Sequence, residues 1–296
     1  MLEKLTTEGR NPAAQRIDEL TSLEIAQLMN GEDRLVTVAI ESELPSIAAA
    51  IDVITNCLQR GGRLIYIGAG TSGRLGVLDA SECPPTFNTE PEQVVGVIAG
   101  GYGALTRSIE GAEDHPEYAV VDLQEIGFTV KDCLVGIATS GRTPYVVAAL
   151  KEAQRLGAAA IGLACNADSQ LSSVSDITIT PVVGPEVISG STRLKAGTAT
   201  KLVLNMLTTA AMVRLGKTYG DLMVDLRATN QKLKVRSKRI VRELTELGEA
   251  AADSLLDDCD GEVKTAIVVN RLGISPAEAR VRLHQCQGHL RTVIEG

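Results

Sequence analysis

Short apolar runs alternate with amphipathic stretches along the chain from about residue 63 to residue 216. The runs are rich in Ile, Val, Leu and Ala, which is typical of strands that are buried on both faces. We place these strands at residues 63–68, 93–99, 133–138, 158–164 and 177–183. We place helices between and after them at residues 73–80, 102–113, 144–156 and 191–216. This alternation predicts an α/β fold of three layers, in which helices enclose a mainly parallel five-stranded sheet.

The first sixty residues have the spacing of two helices. Thr21 and Glu24 form a capping-box pattern that begins the first helix, and the Asn-Gly pair at 30–31 is expected to end it. After Pro45, apolar residues recur on one helical face until the Gly-Gly pair at 61–62. These helices precede the first predicted strand.

The C-terminal part of the chain differs in character from about residue 240. Short helical segments alternate there with glycine-containing breakers, which predicts a small helical bundle. We place its helices at residues 248–258, 263–272, 276–286 and 289–295. The predicted domains are N-terminal helices at 1–50, a sheet domain at 51–217, a linking helix at 218–240 and the bundle at 241–296.

Composition and charge exclude several classes of function. The net charge is −8 and the chain has no Trp, two Phe and five Tyr, so a basic surface or aromatic platform for nucleic acid is not expected. No apolar run approaches the roughly 20 residues that span a bilayer. The six cysteines lie far apart without a Cys-x-x-Cys pair, and no metal-ligand spacing is present. We therefore expect no membrane partner, no metal and a reducing cytoplasmic location.

The tetrapeptide Thr-Ser-Gly-Arg occurs twice, at residues 71–74 and 139–142. Each copy directly follows a predicted buried strand and precedes a helical stretch. A turn of this kind brings unpaired backbone N–H groups and side-chain hydroxyls into one concavity, which suits a phosphate group. The hydroxyl residues of the two turns are the candidate phosphate-binding residues, namely Thr71, Ser72, Ser140 and Thr143. Capping of the following helices is the alternative role for these side chains.

The first copy also lies within a Gly-x-Gly-x-x-Gly sequence at residues 68–73, which on its own suggests a dinucleotide site. That fingerprint requires an acidic residue at the end of the second strand to bind a ribose hydroxyl. The second predicted strand is followed by Ala-Gly-Gly at 99–101, which contains no acid. The sequence therefore favours a terminal phosphate over a dinucleotide.

Two carboxylates stand beside these turns in the predicted fold. Glu82 lies in a segment, residues 79–85, that we predict to be a loop made rigid by two prolines, and Glu113 lies where a predicted helix ends before Pro116. Such a pair can act as acid and base, although most carboxylates are solvated surface groups. Glu186, Ser191 and Lys195 follow the last predicted strand, where they either complete the site or only cap the next helix and join subunits.

Five motifs in order carry a family resemblance. They read Gly-Ala-Gly-Thr-Ser-Gly-Arg-Leu-Gly at 68–76, Asp-Ala-Ser-Glu-Cys-Pro-Pro at 79–85, Glu-Gly-Ala-Glu-Asp at 110–114, Thr-Ser-Gly-Arg-Thr-Pro-Tyr at 139–145 and Lys-Ala-Gly-Thr-Ala at 195–199. Together they resemble the N-acetylmuramic acid 6-phosphate etherases, bacterial enzymes built on the sugar isomerase (SIS) fold. The similarity extends nearly end to end and includes Val-Lys-Thr-Ala-Ile at 263–267.

The resemblance implies a carbon–oxygen lyase that needs no cofactor. Its substrate would be N-acetylmuramate 6-phosphate, which loses its D-lactyl ether to give N-acetylglucosamine 6-phosphate and D-lactate during cell-wall recycling. The resemblance implies that Glu82 donates a proton to the departing lactate and that Glu113 is the second catalytic carboxylate, with the base at C2 as its expected role. Which of the two is acid and which is base stays open. An acid must be protonated near neutral pH, so we expect Glu82 to be buried.

The resemblance also implies a homodimer. The run at 191–216 has too many apolar positions for a single stripe, so this helix is either buried or part of a subunit interface. Two alternatives of the same fold remain at this point: a regulator that binds a sugar phosphate without converting it, as the glucokinase regulatory protein does, and an aldose–ketose isomerase. The regulators carry two SIS domains, whereas this chain has room for one.

Overall fold

Two units make up the chain in a computed structural model, which describes residues 6–167, 169–226 and 231–296. The first, called the sheet unit, comprises Met1–Glu82 and Pro91–Thr208. The second, called the helical unit, comprises Cys83–Glu90 and Thr209–Gly296. Each unit has its own apolar core.

A five-stranded parallel sheet forms the centre of the sheet unit, as the sequence predicted. Its strand order is β2-β1-β3-β4-β5, and every neighbouring pair is parallel. The strands are β1 (Leu64–Gly68), β2 (Val94–Ile98), β3 (Cys133–Ile137), β4 (Ala159–Leu163) and β5 (Ile177–Ile179). Every residue of β1 and β3 is buried, which explains why these segments read as continuous apolar runs rather than alternating ones.

Helices cover both faces of this sheet. The six are α1 (Ser22–Glu41), α2 (Leu44–Gln59), α3 (Gly70–Phe87), α4 (Pro116–Glu125), α5 (Pro144–Leu156) and α6 (Lys195–Arg214). Ile65, Ile67 and Leu134 pack in one apolar cluster with side chains of α4 and α5. Tyr66 points to the other face, where its hydroxyl meets Asp79 of α3. The predicted three-layer architecture is therefore confirmed.

Among its described residues, the helical unit contains a short hairpin and five complete helices. The hairpin strands are β6 (Thr218–Tyr219) and β7 (Leu222–Met223), and the helices are α7 (Gln231–Thr245), α8 (Glu249–Asp258), α9 (Val263–Leu272), α10 (Pro276–Gln285) and α11 (Leu290–Glu295). Ile240, Val241, Leu256, Ile267 and Leu290 are among the side chains of its core. The four helices predicted after residue 248 are confirmed. The linking helix predicted at 218–240 begins only at Gln231, after the hairpin, and residues 227–230 lie outside the described part.

Two predicted helix boundaries were wrong because glycine and proline did not stop the helices. The capping box of Thr21 is present, but α1 continues through Gly31 to Glu41. One glycine costs a helix only about 1 kcal/mol, and burial of Val36 and Ile40 further along the same helix favours its continuation. Likewise α3 runs through both prolines to Phe87, so residues 79–85 are helical and not a loop.

The segment between β2 and β3 also differs from the prediction. Residues 102–113 do not form one helix but two short 3-10 turns, Tyr102–Leu105 and Ala112–Asp114. Ala104 is the only buried residue of the segment 102–113, so a helix there would have little apolar surface to bury. Gly111 also adopts a left-handed conformation, which would interrupt such a helix. The sequence reading missed α4, which begins at Pro116 and buries Ala119 and Leu123.

Within the described part of the chain, no helix combines the length and the apolar character required to cross a bilayer. The longest helices, α1 and α6, have 20 residues each. Both helices carry polar residues along their length. All of α1, and α6 as far as Thr208, belong to the sheet unit.

Two glycine-to-alanine substitutions are expected to have opposite effects on stability. A Cβ at Gly73 would lie 2.6 Å from the Gly68 carbonyl oxygen, so Gly73→Ala should destabilise the protein by about 1–3 kcal/mol through overpacking. Gly31 has nothing within 4 Å of its Cβ position and lies inside α1, so Gly31→Ala should stabilise it by about 0.5–1 kcal/mol. Urea unfolding of both variants measures the two changes, and equal effects would contradict the packing described.

Candidate functional site

Both Thr-Ser-Gly-Arg turns lie at the point where the strand order of the sheet reverses. From β1 the chain moves to β2 on one side and then returns to β3 on the other, and Gly68 pairs with Ile137 at the carboxyl ends of β1 and β3. Neighbouring strands lie about 4.8 Å apart, so the two turns that follow these residues are adjacent. In open α/β sheets this reversal is where ligands bind.

The first turn forms the beginning of α3. Gly70 adopts a left-handed backbone conformation with φ of 52°, which turns the chain from β1 into the helix. Thr71 is half-buried and Ser72 is buried, and neither hydroxyl has a hydrogen-bond partner among the residues that the structure describes. The first N–H groups of a helix also lack intrahelical acceptors. The turn therefore presents hydroxyl and amide donors in the arrangement that binds anions at helix N-termini.

The second turn precedes α5 and has a similar construction. Gly141 is left-handed with φ of 71°, and Thr143 is the N-cap residue of α5. The Thr143 side chain makes no capping hydrogen bond, so it is not committed to the helix. The Ser140 hydroxyl accepts a hydrogen bond of 3.3 Å from the Arg142 N–H. This geometry weakens the alternative that these side chains only cap the helix.

The arginines of the two turns have different surroundings. Arg74 donates from Nε to the Leu105 carbonyl at 3.1 Å and from Nη2 to the Arg107 carbonyl at 3.0 Å, so it holds the loop after β2. The Nε of Arg142 is buried without a hydrogen-bond partner among the described residues. Arg142 is a site candidate that the sequence reading missed, although the repeated arginine of the tetrapeptide was a signal for it.

Glu113 lies at the same edge of the sheet as the two turns. It belongs to the 3-10 turn Ala112–Asp114, in the loop that follows the carboxyl end of β2. Arg74 fixes the first part of this loop, and Ala112 packs close to Gly100 directly after β2. The Glu113 side chain is exposed. The fold therefore places this carboxylate in the loop beside the first turn, open to solvent.

Glu82 lies far from the turns of its own chain, contrary to expectation. It is helical, and the eleven residues from Thr71 to Glu82 correspond to about 16 Å along α3. Its side chain is exposed, so the burial that we expected is absent within one chain. The loop prediction was wrong because α3 continues through both prolines to Phe87.

Glu186 has a structural role at the start of α6. The side chain is fully buried, and its two oxygens accept hydrogen bonds from the N–H groups of Lys195 at 3.0 Å and Ala196 at 2.9 Å. These are helix N–H groups without intrahelical partners. Glu186 therefore satisfies the first turn of α6. Ser191 is half-buried in the preceding loop, and its side chain has no hydrogen-bond partner among the described residues.

Lys195 forms a buried ion pair with Glu32 of α1. The Nζ atom lies 2.6 Å from Oε2 of Glu32, which also accepts a hydrogen bond of 2.7 Å from Asn11, and the Lys195 side chain is 2% exposed. Burial on its own would raise the pKa of Glu32, but the hydrogen bonds from Lys195 and Asn11 outweigh it and hold the pKa below its ordinary value of 4.5. Because its ammonium group is paired, Lys195 positions α1 against α6.

Potential metal ligands do not converge anywhere in the described residues. No group of three or more His, Cys, Asp or Glu side chains there is placed to hold a metal ion. Of the three histidines, His115 lies beside Glu117 and packs on Tyr118, while His284 and His289 belong to the helical unit. None of the three histidines belongs to either Thr-Ser-Gly-Arg turn.

The fold and the paired turns define a protein of the sugar isomerase class. Residues 46–154 match the family model of the glucokinase regulatory protein N-terminal SIS domain, and residues 126–210 match the SIS domain model. Among solved structures, a phosphoheptose isomerase from Francisella tularensis is 21% identical with a TM-score of 0.49, covering 66% of this chain and all of that one.

The family is shown by curated relatives along nearly the whole chain. The N-acetylmuramic acid 6-phosphate etherase of Rhodopirellula baltica is 59% identical over 99% of this chain and 97% of its own length. The protein of the same name from Streptomyces avermitilis is 55% identical over 99% of this chain and 94% of its own. The chain belongs to the N-acetylmuramic acid 6-phosphate etherase family. The resemblance inferred from the five motifs is thereby confirmed.

The Glu32–Lys195 pair gives a prediction for stability against pH. The folded pKa of Glu32 is lowered, so the stability that the pair contributes is present above the unfolded pKa and is lost as the pH falls through the folded one. Glu32→Gln leaves the Lys195 ammonium buried without its charge partner, which should cost about 3 kcal/mol at pH 7. The difference from the unmodified chain should shrink below about pH 4.

Urea unfolding between pH 3 and pH 7 measures this difference. Glu41→Gln is the matched control, because Glu41 is exposed and forms no ion pair within the described part of the chain. Its unfolding free energy should follow that of the unmodified chain at every pH. A constant difference for Glu32→Gln across the whole range would contradict the assigned ion pair.

Proposed function

We propose that this chain cleaves the D-lactyl ether of N-acetylmuramate 6-phosphate, giving N-acetylglucosamine 6-phosphate and D-lactate. The observation that carries this proposal is the similarity to curated etherases at 52% to 59% identity over 99% of the chain. The paired turns at the strand-order reversal supply the second support, because the substrate carries a terminal phosphate. The reaction would belong to amino-sugar catabolism and cell-wall recycling in the cytoplasm.

The substrate phosphate binds between the two turns in this proposal. Thr71 and Ser72 offer hydroxyls at the start of α3, and Ser140 and Thr143 offer hydroxyls before α5. Backbone N–H groups at both helix starts add donors. Since the protein has a net charge of −8, local donors of this kind recognise the phosphate in place of a wide basic surface.

The chemistry is an elimination followed by an addition of water. In the open-chain sugar the C1 aldehyde acidifies the C2 proton, which a carboxylate removes as the C3–O bond to lactate breaks. A protonated carboxyl gives its proton to the departing ether oxygen. Lactate leaves, and a C2–C3 double bond remains in the sugar. Water then adds across that double bond, with its hydroxyl at C3 and a proton at C2. We assign the base to Glu113 and the acid to Glu82.

The position of Glu82 supports a homodimer in which each site combines two chains. Glu82 stands about 16 Å along α3 from Thr71 and is exposed, so it cannot reach a sugar whose phosphate lies on the turns of its own chain. In a symmetric dimer, a residue that is remote in one chain can complete the site of the other. The contact would also bury the Glu82 carboxyl, which the acid role requires.

Two other functions of the same fold are less well supported. A regulator that only binds a sugar phosphate would not require two carboxylates, and an aldose–ketose isomerase would release no lactate. The full-length relatives carry the etherase name and neither of these. The reaction product distinguishes all three functions: D-lactate, a ketose, or unchanged substrate.

Glutamine in place of either carboxylate should strongly suppress lactate release. Purified protein is incubated with N-acetylmuramate 6-phosphate, and D-lactate is measured enzymatically. Glu82→Gln and Glu113→Gln should each lower kcat by at least about 100-fold, because general acid–base groups contribute factors of that size. Both residues are exposed, so folding should be unaffected, and Glu41→Gln serves as a control that keeps full activity. Full turnover in either variant would remove that carboxyl from the mechanism.

Mixing the two inactive variants tests the two-chain site. If Glu82 acts on the site of its partner, a heterodimer of Glu82→Gln and Glu113→Gln contains one intact site. After unfolding and refolding together at equal amounts, about a quarter of the original activity should return. If both carboxylates act within one chain, every site lacks one of them and no activity returns. The unmodified chain, taken through the same procedure, controls for refolding yield.

A further inference from the structure

A groove between α3 and α6 carries two cationic side chains that the site described so far does not use. Its cavity of about 290 Å³ is lined by Thr71 and Leu75 of α3 and by Gly197 and Lys201 of α6, together with Arg193 just before α6. All of these residues belong to the sheet unit. Thr71 is shared with the first phosphate turn, so the groove adjoins the proposed phosphate position.

The groove carries more positive charge than the neighbouring acidic side chain balances. Lys201 lies 3.4 Å from Oδ1 of Asp79 and also donates to Asn205. The Arg193 side chain is exposed and forms neither a hydrogen bond nor an ion pair with any residue in the described ranges. No acidic residue in the described part of the chain lines the cavity. With Asp79 counted against Lys201, one positive charge is left over.

Asp79 holds Lys201 at this position. The Asp79 side chain is buried, and its Oδ2 accepts a hydrogen bond of 3.1 Å from the hydroxyl of Tyr66, which is fully buried on β1. Asp79, which pairs with Lys201, is therefore fixed to the sheet through Tyr66. A ligand in the groove would meet an ammonium group with a defined orientation. The donors of Arg193, in contrast, are unoccupied by any of the residues that the structure describes.

We propose that this groove binds the carboxylate of the lactyl group, with Arg193 as its principal partner and Lys201 as the second. This inference rests on the proposed function, because that substrate carries both a phosphate and a carboxylate. One surplus positive charge matches a carboxylate, whereas a phosphate monoester carries about −1.5 to −2. The planar guanidinium of arginine also suits a carboxylate, which it can bind with two parallel hydrogen bonds.

The size of the groove agrees with a subsite. Pockets for whole drug-sized ligands have volumes of about 300–1,000 Å³. At about 290 Å³ the groove lies at the lower end of that range, so it has room for a lactyl substituent. In this proposal the sugar phosphate lies beside it against the turns. Recognition of the carboxylate would select substrates with an acidic 3-ether over sugars that have only a hydroxyl at C3.

Equilibrium binding to a variant that cannot turn over tests the subsite. In the Glu113→Gln background, calorimetry gives Kd for N-acetylmuramate 6-phosphate, which has the carboxylate, and for N-acetylglucosamine 6-phosphate, which lacks it. Adding Arg193→Gln should raise Kd for the first ligand by about 10- to 100-fold, which is the effect expected from losing a hydrogen bond between charged groups. It should change binding of the second by less than about two-fold.

Arg60→Gln is the matched control, since Arg60 is exposed and its side chain has no partner within the described residues. It should alter neither affinity. Equal weakening of both ligands by Arg193→Gln would assign the groove to the phosphate and overturn the proposal, and so would no weakening of either. If the unmodified chain releases no D-lactate, that result contradicts the proposed function and not the subsite. The ratio of the two affinities does not depend on turnover, so the subsite is tested separately.

Discussion

The close approach of α3 to the end of β1 is the constraint on which the site depends. Gly73 lies so near Gly68 that even a methyl group would come within 2.6 Å of a backbone oxygen. This contact brings the first turn of α3 onto the strand end, beside the second turn on β3. Because the two hydroxyl turns are fixed by backbone packing, the candidate site is preformed, and a preformed site lowers the entropy cost of binding.

The two carboxylates are positioned by different means. Glu113 follows β2 in a loop that Arg74 holds from the first turn, so its place depends on the same helix start as the proposed phosphate donors. Glu82 is on the same helix but three turns further on. A straight helix cannot return its own side chain to its N-terminus, and this rigidity is the reason for our proposal that two chains share each site.

Much of this arrangement was predictable from the sequence, and the failures have physical causes. Buried strands read clearly because each strand run is short, apolar and followed by a turn signal, and the repeated tetrapeptide marked both turns. The prolines after Glu82 were misread as a loop, because local propensity does not record what the rest of the helix packs against. The roles of Glu186 and Lys195 were undetermined, since their partners lie 9 and 163 positions away along the chain.

The buried carboxylate of Glu186 has one more consequence for recognition. It sits against the first N–H groups of α6, so the partial positive charge that a helix dipole would offer there is already neutralised from within the protein. An anion arriving at that end gains little from the backbone and depends on side chains instead. The proposed preference for an acidic substituent therefore depends on surface side chains and not on the end of the helix.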